Sequence, residues 1–411
     1  MAAVTRLLLF AVLVWGARGG DDDGMKEEKL PPAYDPASYP SPAHNHLLHF
    51  QEDVNEWKFE TTQNLQRPFM QQLYETSKQL YEDPYDAKSY VDLREQLNSH
   101  CNRVYNQTCE WQFSPPYNPR NHVEREEGTS TNAAIVYLCC ADAQEFQDFL
   151  WSLKFLDLNF NNEFKYPVLI FHENFGTAQF NMIRQMSQSN ISFHKVNLQV
   201  PRFLDLQQVP RWYKGFSLGF RNMIRFHAIE LYEHPAMQHF DYYWRLDSDS
   251  FILGRLWVDP FEFMRINDYK YGFIATMTEK EDFIQDLWEL HEAHRRSEGI
   301  VSEWFKGKWN GFGFYTNCEI ARRDFWQLPQ VASYLKRIDR EGGIYKSRWS
   351  EATIHFLATT LFLASQELLQ IVFLPYWHQN LVILPQPWSE TDQTNPDGTA
   401  KARQDRQEPR S

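Results

Sequence analysis

Apolar runs of strand length alternate with helical patterns from residue 133 onward, and this alternation constrains the fold more than any other feature of the sequence. Ala133–Cys140 is an unbroken apolar run typical of a buried strand, and Ala143–Leu156 has the periodicity of an amphipathic helix. The pattern continues with strands at Tyr166–Phe171, Ile191–Leu198, Tyr242–Leu246, Tyr271–Met277 and Ile371–Leu374, and a helix at Leu218–Tyr232. It predicts an α/β fold with a mostly parallel central sheet flanked by helices, in which ligands bind beyond the carboxyl ends of the strands.

The rest of the chain divides by composition. Residues 1–20 are expected to be a signal peptide or short anchor, and the acidic, proline-rich residues 21–56 a flexible stalk. Residues 57–130 carry leucines at helical spacing followed by a polar linker, which predicts a helical stem. We therefore assign residues 131–386 to the α/β domain and expect the polar tail 387–411 to be disordered.

The N-terminus indicates the compartment. Arg6 precedes the apolar run Leu7–Trp15, which is too short for a membrane span of about 20 residues, so a cleaved signal is favoured and a short uncleaved anchor is the alternative. Asn106 and Asn190 begin N-glycosylation sequons, and Cys101 and Cys109 are candidate disulfide partners in an oxidising lumen. We expect the protein in the secretory pathway, with membrane contact only through an N-terminal anchor.

Composition excludes several classes of function. A net charge of −13 argues against a nucleic-acid partner, because phosphate contacts need Lys and Arg. A mean hydropathy of −0.58 argues against a multi-span membrane protein. Aromatic residues make up 16% of the chain, which fits either a large aromatic core or a protein that handles sugars.

Asp247-Ser248-Asp249 is the first candidate for chemistry, because it directly follows the predicted strand Tyr242–Leu246. Two carboxylates one residue apart can share a divalent cation such as Mn²⁺ or Mg²⁺, which also bridges to diphosphate oxygens. Such a cation neutralises the charge on a departing nucleoside diphosphate. The motif is common by chance, and Asp21-Asp22-Asp23 also matches it.

Three later segments add polar residues. Asn317-Cys318-Glu319-Ile320 follows a glycine- and aromatic-rich stretch, Arg348-Trp349-Ser350-Glu351 opens a helix, and Tyr376-Trp377-His378 follows the last predicted strand. Each also has an ordinary interpretation: Glu351 as an acid stabilised by the helix dipole, His378 as a surface histidine and Glu319 as an ion-pair partner.

Together these segments resemble the fungal-type Golgi α-1,2-mannosyltransferases over residues 217–378. The resemblance rests on the segments Phe220-Arg221-Asn222-Met223-Ile224-Arg225-Phe226, His234-Pro235, Tyr243-Trp244-Arg245, Asn317-x-Glu319-Ile320, Asp339-Arg340-x-Gly342-Gly343, Arg348-Trp349-x-Glu351-Ala352 and Tyr376-x-His378. It implies a GT-A-like fold, a GDP-mannose donor, Mn²⁺, a glycan acceptor on a glycoprotein or glycolipid, retention of anomeric configuration and residence in the Golgi lumen.

The resemblance also implies roles for single residues. Asp247 and His378 match the metal ligands, and Asp249 joins them from the two-carboxylate argument above. Glu319 matches the proposed nucleophile of the family, and Glu351 is a candidate to orient the acceptor hydroxyl. The candidates for donor binding are Phe220, Arg225, Arg245 and Asn317. The two arginines are candidates for either diphosphate or acid-orienting contacts, and structural ion pairs fit them equally well.

Departures from the family pattern mark a divergent member. Asp247-Ser248-Asp249 stands where the family has Glu-Pro-x, Phe220 stands for a tyrosine near the donor phosphates, and Cys139-Cys140-Ala141 stands for Ala-Arg-Asn in a loop expected to contact the nucleotide. Two alternatives follow. One is a transferase that uses another nucleotide-hexose, and the other is a non-catalytic lumenal sugar-binding protein on a decayed transferase fold.

Overall fold

Two sheets organise the chain, and the computed structural model describes residues 68–83, 86–114, 131–302, 304 and 307–385. The strands are β1 (Glu110–Ser114), β2 (Ala133–Leu138), β3 (Val168–His172), β4 (Ile191–Lys195), β5 (Trp212–Tyr213), β6 (Phe216–Ser217), β7 (Tyr242–Leu246), β8 (Ser250–Ile252), β9 (Tyr271–Phe273), β10 (Thr276–Thr278), β11 (Phe312–Phe314), β12 (Cys318–Arg322), β13 (Leu368–Gln370), β14 (Tyr376–His378) and β15 (Leu381–Pro385).

The helices are α1 (68–82), α2 (Ala87–Tyr105), α3 (Ala143–Leu156), α4 (Thr177–Met186), α5 (Leu218–Arg225), α6 (Pro260–Ile266), α7 (Leu287–Ser297), α8 (Arg323–Gln327), α9 (Pro329–Glu341), α10 (Gly343–Lys346) and α11 (Glu351–Phe362). Two of them continue in other helical forms. After α3 come a π-helical turn, Asp157–Asn161, and a short helix, Asn162–Phe164. After α5 come a π-helical turn, Phe226–Glu230, and a 3₁₀ turn, Leu231–Glu233.

The central sheet has seven strands in the order β13-β9-β12-β7-β2-β3-β4. Strands β7, β2, β3 and β4 run parallel to one another, and β13 runs parallel to β9. Only β12 is reversed, since it pairs antiparallel with both β7 and β9. The predicted α/β fold with a mostly parallel sheet is therefore confirmed.

The strand predictions at β3 and β7 rest on residues that are mostly aliphatic or aromatic. The sheet buries every residue of both strands, including the one polar residue of each, His172 in β3 and Arg245 in β7. The predicted strand Ile371–Leu374 is wrong, because these residues form a turn between β13 and β14 that ends at Pro375. The predicted strand Tyr271–Met277 is divided into β9 and β10, and the predicted helix Leu218–Tyr232 changes its helical form at Phe226.

The second sheet has four strands in the order β1-β15-β14-β8, and the N-terminal helices pack against it. Leu73, Leu93 and Leu97 from α1 and α2 share one buried apolar cluster with Phe251 of β8 and Trp377 of β14. A disulfide between Cys101 and Cys109 ties the end of α2 to β1, as the sequence suggested. The leucine spacing of the predicted stem therefore marks helical faces that pack on this sheet.

Several sequence expectations concern residues outside the described ranges. They are the signal peptide or anchor at 1–20, the stalk at 21–56 and the tail at 387–411. Among the described residues, no helix has the length and apolar character needed to cross a membrane. The boundaries of the stem and of the α/β domain remain predictions.

Gly342 separates α9 from α10, and Gly343 is the first residue of α10. These two glycines provide a test of the packing. Gly342 has a φ of +74°, and a Cβ at Gly343 would lie 2.2 Å from the Trp349 ring. We expect Gly343→Ala to lower the free energy of unfolding by about 1–3 kcal/mol, because the added methyl group forces the buried Trp349 ring to move. Urea denaturation measures this change.

Gly299→Ala is the control for adding a methyl group, because nothing lies within 4 Å of that position. Its φ of +64° gives this variant a smaller backbone strain cost of its own. Equal losses in the two variants would contradict the packing account.

Candidate active site

The turn between β7 and β8 carries the two carboxylates, and strand pairing brings the histidine to them. β14 runs antiparallel to β8 with His378 opposite Ser250, one residue from Asp249. The His378 Nε2 and Asp249 Oδ1 atoms lie 3.0 Å apart. One ligand atom each from Asp247, Asp249 and His378 lies within 4.8 Å of the other two. The three predicted metal ligands are thus brought together, at the carboxyl end of β7.

His378 is held by the loop that precedes β12. Its Nδ1 atom lies 2.9 Å from the Tyr315 hydroxyl and 2.7 Å from the Asn317 side-chain amide. With Nδ1 engaged in this way, Nε2 faces the carboxylates, which is how proteins orient metal-binding imidazoles. Burial lowers the pKa of His378, but the Asp249 carboxylate outweighs it and the net shift is upward. Asn317, predicted to bind the donor, therefore contacts the metal-ligand set through His378.

Arg245 joins the metal site to the predicted catalytic acids. Its side chain is fully buried, and its Nε and NH2 groups donate to Asp247 Oδ1 at 3.0 and 2.9 Å. The same NH2 group donates to Glu351 Oε1 at 2.9 Å. Of the two alternatives for Arg245, diphosphate contact or acid orientation, the geometry supports orientation of the acids. Its NH1 group has no hydrogen-bond partner among the described residues.

Glu351 is the first residue of α11, with Ser350 as the N-cap. The helix dipole favours a carboxylate at this position. Its Oε1 atom accepts from Arg245 and, at 3.4 Å, from the Thr316 hydroxyl. Arg245 therefore links this acid directly to Asp247 of the metal-ligand set.

Glu319 lies in the middle of the sheet and is fully buried. Its register on β12 sets it opposite Arg245, and helix α11 covers the same face. Its carboxylate accepts from Tyr243 at 3.2 Å and Tyr271 at 2.7 Å, and it lies 2.9 Å from His355 Nδ1. Burial raises its pKa, but His355 and Arg245 outweigh burial and the net shift is downward, so the group is ionised. The predicted nucleophile is thus an enclosed anion that neighbours Arg245.

The two other predicted donor-binding residues lie elsewhere. Arg225 makes a two-bond ion pair with Asp339 of α9 at 2.8 and 2.9 Å and contacts Glu230, which supports the ion-pair interpretation. Phe220 packs against the Phe216 ring at 4.9 Å. Both sequon asparagines are exposed: Asn106 caps α2 and Asn190 precedes β4.

The sequence did not point to several residues that contact the site or act on it electrostatically. Tyr315 and His355 hold His378 and Glu319, and Asp148 on α3 interacts electrostatically with Asp249. The sequence position of His355 could have identified it, because it lies four residues after Glu351 and therefore on the same helix face. Tyr315 and Asp148 carry no comparable signal, because only the pairing of distant strands and helices brings them to the cluster.

Comparison with known proteins identifies the family of this chain. The family model described as glycolipid 2-alpha-mannosyltransferase matches residues 84–396. The chain belongs to this family. It is therefore a glycosyltransferase, as the sequence predicted.

Individual relatives of this mannosyltransferase family are distant. The chain is 28% identical over 270 residues to O-glycoside alpha-1,2-mannosyltransferase omh1 of Schizosaccharomyces pombe, covering 60% of this chain and 69% of the relative. It is 27% identical over 279 residues to alpha-1,2 mannosyltransferase KTR1 of Saccharomyces cerevisiae, covering 62% and 71%. These identities fit the divergent member inferred from the departures.

Two solved structures of other proteins share the fold. Mannosyltransferase Ktr4p of S. cerevisiae, in complex with GDP, matches with a TM-score of 0.61 and 20% identity over 81% of this chain and 91% of that one. Core-mannan synthase A of Aspergillus fumigatus, in a Mn/GDP form, matches with a TM-score of 0.57 and 20% identity over 71% and 86%. The expected GT-A-like fold is confirmed.

Asp148 yields a pH-dependent prediction for the metal-free protein. Burial, followed by the nearby Asp249 and Glu145 carboxylates, raises its pKa from 3.8 to about 7. The folded state therefore binds more protons than the unfolded state between these values, and an ionised Asp148 destabilises the fold as pH rises through this window. We expect Asp148→Asn to raise Tm by about 2–5 °C at pH 8 and by less at pH 5.5.

Differential scanning calorimetry in EDTA at the two pH values measures this difference. Asp241→Asn, on an exposed residue before β7, is the control and should change Tm little at either pH. An equal shift at both pH values for Asp148→Asn would contradict the assignment.

Proposed function

We propose that this protein is a retaining α-1,2-mannosyltransferase that moves mannose from GDP-mannose to a hydroxyl of a glycan, with Mn²⁺ as cofactor. The observation that carries the proposal is the convergence of Asp247, Asp249 and His378 at the carboxyl end of β7, in a chain that belongs to the mannosyltransferase family. Ligands of parallel sheets bind at this edge.

The residues present fit a divalent cation. Two carboxylates and one imidazole offer ligand atoms within 4.8 Å of one another, and oxygen-rich sets of this kind suit Mn²⁺. Both carboxylates are partly exposed, by 26% for Asp247 and 34% for Asp249, so a diphosphate can approach from solvent. A bound cation would neutralise negative charge on the departing diphosphate.

The donor nucleotide is proposed from the family and from two relatives of the same fold. Those structures are described with GDP, and one of them with Mn as well. The three-residue metal set is intact here, which weighs against the decayed, non-catalytic alternative. UDP and CMP remain as test outcomes, because the loop after β2 departs from the family at Cys139 and Cys140.

Glu351 is the residue we assign to the acceptor. Arg245 and Thr316 hold its Oε1 atom, which leaves the Oε2 atom to accept a hydrogen bond from the acceptor hydroxyl. Arg245 also fixes Asp247, so one guanidinium sets the position of the acceptor acid relative to the metal ligands. Such fixed geometry contributes to rate by holding the reactants in place.

Glu319 fits a supporting role in this mechanism. A covalent intermediate on Glu319 would require its contacts with Tyr243, Tyr271 and His355 to open, since the carboxylate has no exposed surface. Its negative charge instead offsets the buried Arg245 guanidinium. Retention is then achieved by attack of the acceptor on the face from which the diphosphate departs.

The cellular setting follows from the same assignment. We propose that the protein acts in the secretory pathway, in the Golgi lumen, on glycans of glycoproteins or glycolipids. The disulfide between Cys101 and Cys109 and the exposed sequon at Asn106 support an oxidising, glycosylating compartment.

A transfer assay tests the proposal. The purified protein is incubated with Mn²⁺, GDP-mannose and methyl α-mannoside, and NMR identifies the linkage and anomeric configuration of the product. An α-1,2-linked disaccharide that disappears in EDTA is expected. Transfer only from a UDP-hexose would replace the donor, and no transfer from any donor by a folded protein would contradict the function.

Asp247→Ala tests the donor site independently of any acceptor. A ligand present at 100 times its Kd stabilises the folded state by about 2.7 kcal/mol, so GDP with Mn²⁺ should raise the wild-type Tm measurably. We expect this rise to disappear in Asp247→Ala and to persist in Asp241→Ala, whose side chain is exposed. Differential scanning fluorimetry measures both, and a full rise in Asp247→Ala would contradict the assignment.

A further inference from the structure

Arg348 has an unusual backbone conformation for its residue type. Its φ is +60°, in the left-handed region that side-chain-bearing residues rarely adopt. Such a conformation persists where surrounding contacts hold the residue in place. For Arg348, these contacts are made by its side chain.

The Arg348 guanidinium is packed among three phenylalanine rings from two segments of the chain, one with Phe216 and Phe220 and the other with Phe283. Its central carbon lies 4.0 Å from the Phe216 ring, 4.5 Å from the Phe283 ring and 5.5 Å from the Phe220 ring. Its NH1 group lies 2.5 Å from Glu279 Oε2, and both side chains are largely buried, at 13% and 7% exposure. Stacking on rings combined with pairing to a carboxylate suits the planar guanidinium, and lysine keeps the charge but loses the planar face that stacks.

The two residues between Arg348 and Glu351 are also fixed by hydrogen bonds. Trp349 donates from Nε1 to the Gln285 carbonyl at 2.7 Å, and Ser350 caps α11 by accepting from the Thr353 amide. Glu351 comes next and binds Arg245. The start of α11 is therefore held on one side by Arg348 and on the other by Arg245.

We propose that Arg348 is a positioning residue for the transfer reaction, which acts by fixing Glu351. The inference rests on the proposed function, because Glu351 is there assigned to the acceptor hydroxyl. Among the described contacts, Arg348 makes none with Asp247, Asp249 or His378. Loss of its side chain should therefore slow transfer and leave the binding of GDP and Mn²⁺ intact. Misplacement of a reacting group by about 1 Å can cost about 10²-fold in rate.

A double-mutant cycle tests whether Arg348 acts through Glu351. The variants are Arg348→Lys, Glu351→Gln and the double variant, assayed for kcat and acceptor KM with GDP-mannose and Mn²⁺. We expect Arg348→Lys to lower kcat by about 10–100-fold, and the double variant to be no slower than Glu351→Gln alone, because residues that act as one unit are not additive. A merely structural role predicts that the two losses multiply, which would overturn the proposal.

Controls separate this inference from general damage. Lys195→Ala, an exposed cation on β4, should leave kcat unchanged alone and add nothing to Glu351→Gln. GDP with Mn²⁺ should raise the Tm of Arg348→Lys as much as that of the wild type, whereas loss of this response would overturn the proposal.

A crystal structure of Arg348→Lys provides a readout that needs no activity. The 2.9 Å contact between Glu351 Oε1 and Arg245 NH2 should be lost or the first turn of α11 displaced. An unchanged contact would overturn the inference whether or not the wild type transfers mannose. Absence of transfer by the wild type would instead contradict the proposed function.

Discussion

The buried guanidinium of Arg245 is the interaction on which the site depends. A fully buried cation is costly unless carboxylates surround it, and Asp247, Glu351 and Glu319 do so from three different elements. Removal of Asp247 or Glu351 would take away a carboxylate that accepts hydrogen bonds from this buried cation. The same requirement keeps Asp247 and Glu351 at fixed positions, so the electrostatics that stabilise the core also define the geometry of the candidate active site.

The reversed strand β12 makes this arrangement possible. Because β12 runs antiparallel beside β7, it sets Glu319 opposite Arg245, and the loop before β12 brings Tyr315 and Asn317 to His378. The second sheet completes the site, since β14 pairs with β8 and brings the histidine to Asp249. Segments distant in sequence thus meet at the turn between β7 and β8 through strand pairing, and residues of the N-terminal helices pack against β8 and β14.

The sequence predicts those parts of the fold in which one segment carries its own signal. Strand β7 and helix α3 match their predicted bounds, because a run of aromatic and aliphatic residues interrupted only by Arg245 and an amphipathic period are local patterns. Strand β12 was missed because Cys318, Glu319 and Arg322 give it no apolar run, although its Glu319 is buried by long-range contacts. Likewise, the metal-ligand set was predicted from motifs and Arg245 was a candidate to orient acids, whereas the enclosure of Glu319 and the identity of the acids that Arg245 binds follow only from register and helix placement.

The measurement that tests the account most directly is the Mn²⁺ affinity of Arg245→Lys, determined by electron paramagnetic resonance in the presence of GDP. Lysine keeps the charge but cannot bind Asp247 and Glu351 together with the planar geometry of arginine. The account predicts that affinity falls by about 10–100-fold in a variant that remains folded by circular dichroism, as for other losses of an orienting partner. Wild-type affinity in this variant would contradict the claim that Arg245 positions the metal-binding carboxylate.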